Sequence, residues 1–444
     1  MDTNGAKHNG EASKEAIQIG LVREAFARDD IQIGAWPNPR VLDYLYERGV
    51  ILVDDAYLAQ VQALFEESQL HDALIDGVTA LALPLVTNEP REPGGPVETE
   101  VTVALDRIDA ELGAGVAGPN HVYSICPGGM CPAKEPEPVP AGAAPDPGVC
   151  ADRDGDGAFI YVVDTGLLDG ADAHPWLAGV RGPDDPVTNH VIEPYTGHGT
   201  FVAGVARCMA IGSRAYVARV LHHAGAALET ELIKHLDLAL REGPDIISLS
   251  AGAWTRKDLP PHGFVALWRR YRYHKGVQLV AAAGNNTSRR PFWPAAFPQV
   301  VSVGALSASW HSRAAFSDFG GWVDVNAPGE DIINAYAAGT YTYREPANRG
   351  RSPADFDGMA RWSGTSFSTP LVSGLIAARM SRTGENSRLA ARNLLTLAGE
   401  QALRGVGPVL YPCQAGGRER SACCEHCAGH DRCSPCCRHG EGHN

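Results

Sequence analysis

The sequence contains no apolar run of about 18 residues, the minimum that would cross a lipid bilayer as a helix. Its first residues, MDTNGAKHNGEASKEAIQIG, are polar and lack the apolar core of a secretory signal. Both absences favour a protein without membrane segments. The cytoplasm is the expected compartment, with export by another route left open.

Positive charge is also in short supply. The 444 residues include 38 Lys and Arg against 52 Asp and Glu, which gives a formal net charge of −14 at pH 7. An acidic balance of this size disfavours a nucleic-acid-binding surface and favours solubility. Hydrophobic residues make up 44% of the chain and charged residues 20%, so we expect a globular protein with more than one domain.

Cysteine is concentrated at one end of the chain, since seven of the eleven residues lie within 413–444. Cys424 and Cys427, like Cys433 and Cys436, have the two-residue spacing of a zinc knuckle. In a reducing compartment such clusters bind metal more often than they form disulfides. We therefore predict a structural zinc site at these four cysteines, with disulfides or a free thiol-rich tail as the alternatives.

Changes in composition divide the chain into five predicted segments. Residues 132–149 are rich in Pro, Ala and Gly, as expected of an extended linker. The three cysteines that flank this stretch would form a disulfide across it only in an exported protein. The segments are a partly disordered N-terminal extension (1–47), a small α+β domain (48–126), the linker (127–150), an α/β domain (151–412) and a Cys/His-rich tail (413–444).

The small domain has the predicted element order β-α-β-β-α-β, which is typical of a ferredoxin-like fold. Apolar spacing of about two residues indicates its strands, and spacing of three to four residues indicates its helices. The predicted elements are strand 50–53, helix 56–67, strands 79–86 and 98–105, a helix that Asp106 caps, and strand 121–125.

The larger domain alternates apolar strands with amphipathic helices. This pattern predicts a doubly wound α/β fold, a mostly parallel sheet with helices on both faces. Ligands of such sheets bind beyond the carboxyl ends of the strands. The predicted elements are strands 158–166, 245–250, 277–284 and 299–305 and helix 228–243.

Three side chains of the larger domain form a candidate catalytic set. Asp164 ends a buried strand in VVDTG, His198 lies in TGHGTFVAGVA, and Ser366 lies in GTSFSTP before a helix. A buried carboxylate can orient an imidazole, which can then accept the proton of a serine hydroxyl. Asn285 in AAAGNN follows another strand, where its amide could donate to an oxyanion.

The four motifs, in the order Asp, His, Asn, Ser, resemble those of the subtilisin-like serine peptidases over roughly residues 155–400. The resemblance implies Asp164 as the orienting carboxylate, His198 as the general base and Ser366 as the nucleophile. Asn285 and the Ser366 N–H would form the oxyanion hole. Catalysis in this family requires no cofactor.

The resemblance also implies a substrate-binding wall, which pairs with an extended peptide. The family usually has glycine where Ser250 stands, so the first specificity pocket is not assigned from this segment. The implied residues are Ser248, Leu249, Ser250, Ala251, Gly252, Ala283 and Gly284.

Many members of the family carry a ferredoxin-like propeptide that blocks the cleft. Residues 48–126 would have this role, as an intramolecular inhibitor released by cleavage in the linker. The sequence thus predicts a serine endopeptidase made as a zymogen, acting on protein or peptide substrates and not on nucleic acid or membranes. The alternatives are a catalytically silent peptide-binding protein regulated through its Cys/His tail, and a maturation peptidase for one partner peptide.

Overall fold

The computed structural model describes residues 14–38, 41–86, 95–125, 134–151, 153–274, 276–345, 348 and 350–414. The N-terminal part of these residues contains α1 (Lys14–Ala27), β1 (Ile33–Asn38), β2 (Val41–Asp54), α2 (Leu58–Leu64), β3 (Gln69–Ile75), β4 (Val78–Ala82), α3 (Glu100–Leu112) and β5 (Ala117–Ser124). The remainder contains β6 (Glu137–Pro138), β7 (Phe159–Asp164), β8 (Val191–Ile192), α4 (His198–Met209), β9 (Arg214–Arg219), β10 (Ala226–Leu228), α5 (Glu229–Arg241), β11 (Ile246–Leu249), α6 (His262–Tyr271), β12 (Gln278–Ala282), β13 (Val301–Leu306), β14 (Val325–Pro328), β15 (Ile332–Tyr341), β16 (Ala354–Trp362), α7 (Thr365–Thr383) and α8 (Ser387–Glu400). Across these ranges, no helix combines the length and apolar character needed to cross a membrane.

The larger part of the chain is built on a six-stranded parallel sheet in the order β14-β13-β12-β11-β7-β9. Helices α4 and α7 pack together over this sheet. Helices α5 and α6 lie between it and the sheet of the N-terminal domain, which they also contact. The predicted doubly wound α/β fold is confirmed, and the carboxyl ends of β7, β11 and β12 lie side by side along one edge.

Residues 41–125, here called the N-terminal domain, form an antiparallel sheet in the order β5-β2-β4-β3. This order agrees with a ferredoxin-like arrangement, because the last strand lies beside the first. Strand β1 pairs with β2, and β10 of the larger part adds to β5. The two parts of the molecule therefore share one sheet.

The strand predicted at 98–105 is wrong, because these residues begin helix α3. Thr99 and Thr102 form a capping box, in which each side chain bonds the backbone N–H of the other. Val101, Leu105 and Ile108 are fully buried at helical spacing. Val101, Val103 and Leu105 also alternate over a short window, so periodicity alone could not separate the two structures. The helix also begins before its predicted cap at Asp106.

The predicted boundaries of the N-terminal domain also differ from the structure. Strand β2 crosses the boundary at residue 48, and β3 over 69–75 was not predicted. The extension predicted as partly disordered contains α1 and β1, and its residues 1–13 lie outside the described ranges. Helix α1 buries Ile19, Val22 and Phe26 in one cluster with residues of β5 and β10.

Residues 134–150 do not form a free linker. They pack on the larger part, where β6 pairs with β16 and the Trp362 indole N–H donates to the Lys134 carbonyl at 2.7 Å. Glu135 is buried and accepts hydrogen bonds from Tyr341, Asn348 and two backbone N–H groups. A disulfide joins Cys150 to Cys413, which was predicted to belong to the tail. We call residues 134–414 the catalytic domain below.

Candidate active site

Asp164 and His198 meet at the carboxyl edge of the parallel sheet. Asp164 is the last residue of β7 and His198 the first of α4. His198 Nδ1 lies 2.7 Å from Asp164 Oδ1, and both side chains are completely buried. The carboxylate can accept only from an N–H, so the bond assigns the proton to Nδ1. Nε2 is left as the basic nitrogen, and it has no hydrogen-bond partner within the described ranges.

A second buried carboxylate holds the turn that presents His198. Asp185 accepts hydrogen bonds from the Thr165 hydroxyl and the Gly197 N–H, both at 2.7 Å. Burial raises the pKa of Asp185 to about 6, while these two bonds oppose the shift. The residues immediately after Asp164 and before His198 are therefore held by one side chain, which fixes the two catalytic groups relative to each other.

Ser366 is the second residue of α7 and is almost fully buried. Its hydroxyl lies 3.4 Å from the Ser250 carbonyl, and the Ser250 hydroxyl donates to the Ser366 carbonyl at 2.9 Å. The first N–H groups of a helix have no partner inside it and point towards its start. A substrate carbonyl at Ser366 would therefore face hydrogen-bond donors.

Aromatic side chains on both sides of Ser366 enclose the His198 ring. The Trp362 ring meets it edge-on at 5.4 Å between centroids, and the Phe367 ring lies 5.5 Å away. These contacts place the imidazole against the start of α7. They also surround the histidine–aspartate pair with apolar groups, which strengthens its hydrogen bond.

Asn285 is oriented by Thr365, the residue before the candidate nucleophile. The Thr365 N–H and hydroxyl both donate to Asn285 Oδ1 at 2.9 Å. A backbone N–H can only donate, so the amide oxygen must face Thr365 and the amide nitrogen must face away from it. This orientation leaves the nitrogen on the side from which it can donate to an oxyanion.

Asp318 holds the loop that carries Asn285. Its Oδ1 accepts the backbone N–H groups of Asn286 and Ser288, both at 2.8 Å, and its own N–H donates to the Gly284 carbonyl at 2.9 Å. Gly284 has a φ of +106°, and a Cβ there would collide with the carboxylate. Burial raises the pKa of Asp318 to about 7, although Arg313 and the N–H donors oppose the shift.

The predicted substrate-binding residues divide into two groups. Ser248, Leu249 and Ala283 are completely buried in or beside the sheet. Gly252 lies further along the wall and is also buried, and its backbone exchanges two hydrogen bonds with Ser124 at 3.0 and 3.1 Å. A Cβ on Gly252 would collide with the Phe292 ring, so the close approach that requires glycine is at this position and not at Ser250.

The candidate metal ligands are not brought together by the described residues. Cys424, Cys427, Cys433 and Cys436 lie outside the described ranges, so the zinc site stays a prediction. Among described residues, Asp29, His222 and His223 are the one group close enough to share an ion. Asp29 and His223 already form a hydrogen bond at 2.6 Å, which accounts for their proximity.

Sequence reasoning predicted the four candidate catalytic side chains but missed those that hold them. Thr365 lies inside the GTSFSTP motif, so its position beside Ser366 was a signal for a supporting role. Asp185 and Asp318 lie far along the chain from the groups they hold, in segments without a recognisable motif. Only the tertiary structure connects them with the site.

Comparison with known proteins agrees with this geometry. The subtilase family model, Peptidase_S8, matches residues 155–404, which is more than half of the chain. The chain therefore belongs to the subtilase family, whose members are serine-type peptidases.

Individual relatives cover the catalytic domain. Thermitase of Thermoactinomyces vulgaris is 30% identical over 254 residues, which are 54% of this chain and 81% of the relative. The thermophilic serine proteinase of Bacillus sp. (strain AK1) is 31% identical over 243 residues, which are 52% of this chain. The chain spans about half (54%) of the length of that relative. Fervidolysin from Fervidobacterium pennivorans, a keratinolytic enzyme, covers 83% of this chain and 61% of its own with a TM-score of 0.55 and 20% identity, which shows the fold alone.

Proposed function

We propose that the protein is a serine endopeptidase that cleaves peptide bonds through an acyl-enzyme on Ser366. The observation that carries this proposal is the fully buried bond between His198 Nδ1 and Asp164, which leaves Nε2 as the basic nitrogen of a ring that packs against Phe367 at the start of α7. The supporting contacts of Asn285 complete the set of groups that acyl transfer needs.

The proposed reaction has two steps. His198 Nε2 takes the proton as Ser366 Oγ bonds to the substrate carbonyl carbon, while Asp164 stabilises the imidazolium. The Asn285 side chain and the Ser366 N–H at the start of α7 donate to the oxyanion. The C–N bond then breaks as His198 returns the proton to the amine. A water molecule attacks the ester with the same base and releases the acid.

A fluorophosphonate probe tests this proposal, because it reacts only with an activated serine hydroxyl. We expect labelling of the wild type that disappears in Ser366→Ala and persists in Ser368→Ala, a matched change two residues further along the same helix. Absence of labelling in cleaved protein would contradict the proposal and favour the catalytically silent binding protein.

The N-terminal domain has the contacts expected of an intramolecular inhibitor. The backbone of Ser124, the last residue of β5, pairs with Gly252, and the N–H of Ile125, the next residue, donates to the Gly225 carbonyl at 3.0 Å. An extended chain between two such segments occupies the place of a bound peptide. We propose that this domain blocks the cleft until the chain is cut.

Two fixed points of the chain, one on each side of the catalytic centre, limit which peptide bond can be cleaved. Ile125 lies beside the substrate-binding wall, and the Lys134 carbonyl is bound by Trp362, which contacts the His198 ring. We expect self-cleavage between these two residues. Intact mass analysis tests it: the wild type should yield both fragments and Ser366→Ala neither. A wild type that stays whole would contradict self-maturation.

The disulfide between Cys150 and Cys413 indicates the kind of compartment in which the protein folds. Bonds such as Cys150–Cys413 persist in oxidising environments, which favours export over the cytoplasm expected from the sequence. Mass analysis of native protein after thiol alkylation tests this proposal. Alkylation of both cysteines without prior reduction would support the cytoplasmic alternative.

A further inference from the structure

The negative charge of the protein is concentrated in the N-terminal domain. Residues 41–125 contain 15 Asp and Glu against three Arg and no Lys. This domain is less than a fifth of the chain, yet it accounts for nearly all of the net charge of −14. The rest of the protein is close to neutral, so the two parts differ strongly in charge.

The catalytic domain meets this acidity with a row of cations, which we call the basic strip: Arg256, Lys257, Arg269, Arg270 and Arg290. Across the described residues, each Lys or Arg ion pair between the two domains has its cation on the strip. The pairs are Arg256–Asp106 (2.5 Å), Arg256–Asp109 (2.8 Å), Arg269–Asp54 (2.8 Å), Arg270–Asp76 (2.6 Å), Lys257–Asp109 and Arg290–Asp43.

The strip starts at the substrate-binding wall. Ser124 pairs with Gly252 in antiparallel register, so residues further upstream in β5 lie beside residues further downstream in the wall. The Arg256 N–H donates to His121 at 3.2 Å, which extends this register. A peptide in the place of β5 would thus pass Arg256 at least about five residues before its scissile bond. Further upstream it would approach Arg269, because Asp54, the partner of Arg269, donates its N–H to the Val116 carbonyl just before β5.

The cations of the strip lose these partners when the N-terminal domain leaves. Arg256 is only 9% exposed, and Asp106 and Asp109, its two carboxylate partners, belong to α3. Lys257 and Arg269 are about half exposed and pair with Asp109 and Asp54 of the same domain. Arg270 and Arg290 also pair with Asp237 and Asp258 of the catalytic domain, so the cations that release leaves without a carboxylate partner are Arg256, Lys257 and Arg269.

We propose that the basic strip is an exosite for acidic segments of polypeptide substrates, recognised at least about five residues before the scissile bond. This inference rests on the proposed peptidase function and specifies its substrate class. Exposed ion pairs are individually weak, but several in a row select and steer a charged partner, and salt screens them. The strip would thus act on substrate capture and leave the chemical step unchanged.

Three matched peptides test the proposal. The enzyme is cleaved protein from which the N-terminal domain has been lost, as checked by mass analysis. One carries only the residues around the scissile bond, the second adds upstream Glu residues, and the third adds Gln residues at the same positions. We expect the Glu extension to raise kcat/KM roughly tenfold over the Gln extension through KM. The difference should shrink in 0.5 M salt.

Two double variants locate the effect. Lys257→Gln with Arg269→Gln should remove most of the preference for Glu, whereas Arg392→Gln with Arg404→Gln removes the same charge from exposed positions on and beyond α8. All enzymes should cleave the short peptide equally. If the cleaved enzyme retains the N-terminal domain, displacement of that domain is measured by size exclusion instead of the cleavage rate. We then expect the Glu peptide to displace the domain and the Gln peptide to leave it bound.

The outcomes separate the two proposals. Failure to cleave even the short peptide would contradict the peptidase function. Cleavage of all three peptides at equal rates, or a Glu preference that both double variants reduce equally, would overturn the exosite. The strip would then serve only to hold the N-terminal domain.

Discussion

The catalytic centre and the interface with the N-terminal domain are both held by polar groups, but their partners are distributed differently. In the centre, His198 is held by Asp164 and Asn285 by Thr365, all from the catalytic domain. At the interface, cations such as Arg256 are paired with carboxylates of the other domain. Loss of the N-terminal domain would therefore leave the centre's hydrogen bonds intact and remove partners only at the interface.

The hydrogen bonds of the centre and the ion pairs of the interface also differ in how much free energy a single contact contributes. The bond between His198 and Asp164 is short, fully buried and beside aromatic rings, so a single deletion there leaves a buried polar group unsatisfied. Most interface pairs are at least partly exposed, where an ion pair contributes little and is screened by salt. The centre should respond to single substitutions by orders of magnitude, and the interface by much smaller factors.

The largest effect is expected at Asp164. Asp164→Asn would turn an acceptor of the His198 Nδ1 proton into a donor, favour the wrong tautomer and lower kcat about 10,000-fold. Asp172→Asn is the control, because it makes the same chemical change at an exposed carboxylate outside the centre. Steady-state kinetics with a peptide substrate measures both. Equal losses would show that Asp164 has no special role.

Asn285→Ala should have the next largest effect. Removal of one oxyanion donor lowers kcat about 100- to 1,000-fold in the subtilase family itself. Thr365→Val, which keeps the N–H but removes the hydroxyl that orients Asn285, should cost less, roughly tenfold. Asn286→Ala, the adjacent amide, is the control. A loss in Asn286→Ala as large as in Asn285→Ala would contradict the assignment.

The sequence predicts the catalytic side chains because each lies in a short local pattern at a strand end or a helix start. The parallel sheet is predictable for a similar reason, since strands buried on both faces read as apolar runs. The residues that support the site cannot be predicted in this way. Asp318, for example, accepts hydrogen bonds from Asn286 and Ser288 across a large separation in sequence.

The N-terminal domain shows the opposite result. Its element order was predicted, but 98–105 was given the wrong structure because a helix and a strand share the same short apolar pattern there. The Cys150–Cys413 pairing could not be predicted either, because cysteine spacing does not fix connectivity. Local patterns therefore located the chemistry more reliably than they located the elements around it.

The interface side of the comparison is tested by Asp109→Asn. Asp109 accepts from both Arg256 and Lys257, so the change should weaken retention of the N-terminal domain after cleavage by about tenfold or more. Glu111→Gln, an exposed change on the same helix, is the control. Size exclusion of cleaved protein measures the retained fraction. Equal retention in the two variants would show that apolar packing alone holds the domain.

The smallest effect concerns the Asp318 carboxyl, whose pKa is raised to about 7 by burial. Unfolded Asp has a pKa of about 3.9, so between these values the folded protein keeps a proton that the unfolded chain has lost. The resulting stabilisation is present at low pH and is lost as the pH rises through about 7. Asp318→Asn cannot ionise and should not show this loss.

We therefore expect the melting temperature of Asp318→Asn, relative to that of the parent, to rise by a few degrees between pH 5 and pH 9. The measurement uses Ser366→Ala protein to prevent self-digestion, with Asp172→Asn as an exposed control. Parallel profiles for Asp318→Asn and the parent would show that folding does not raise the pKa of Asp318. The loop under Asn285 would then be held by an ionised carboxylate that accepts the N–H groups of Asn286 and Ser288.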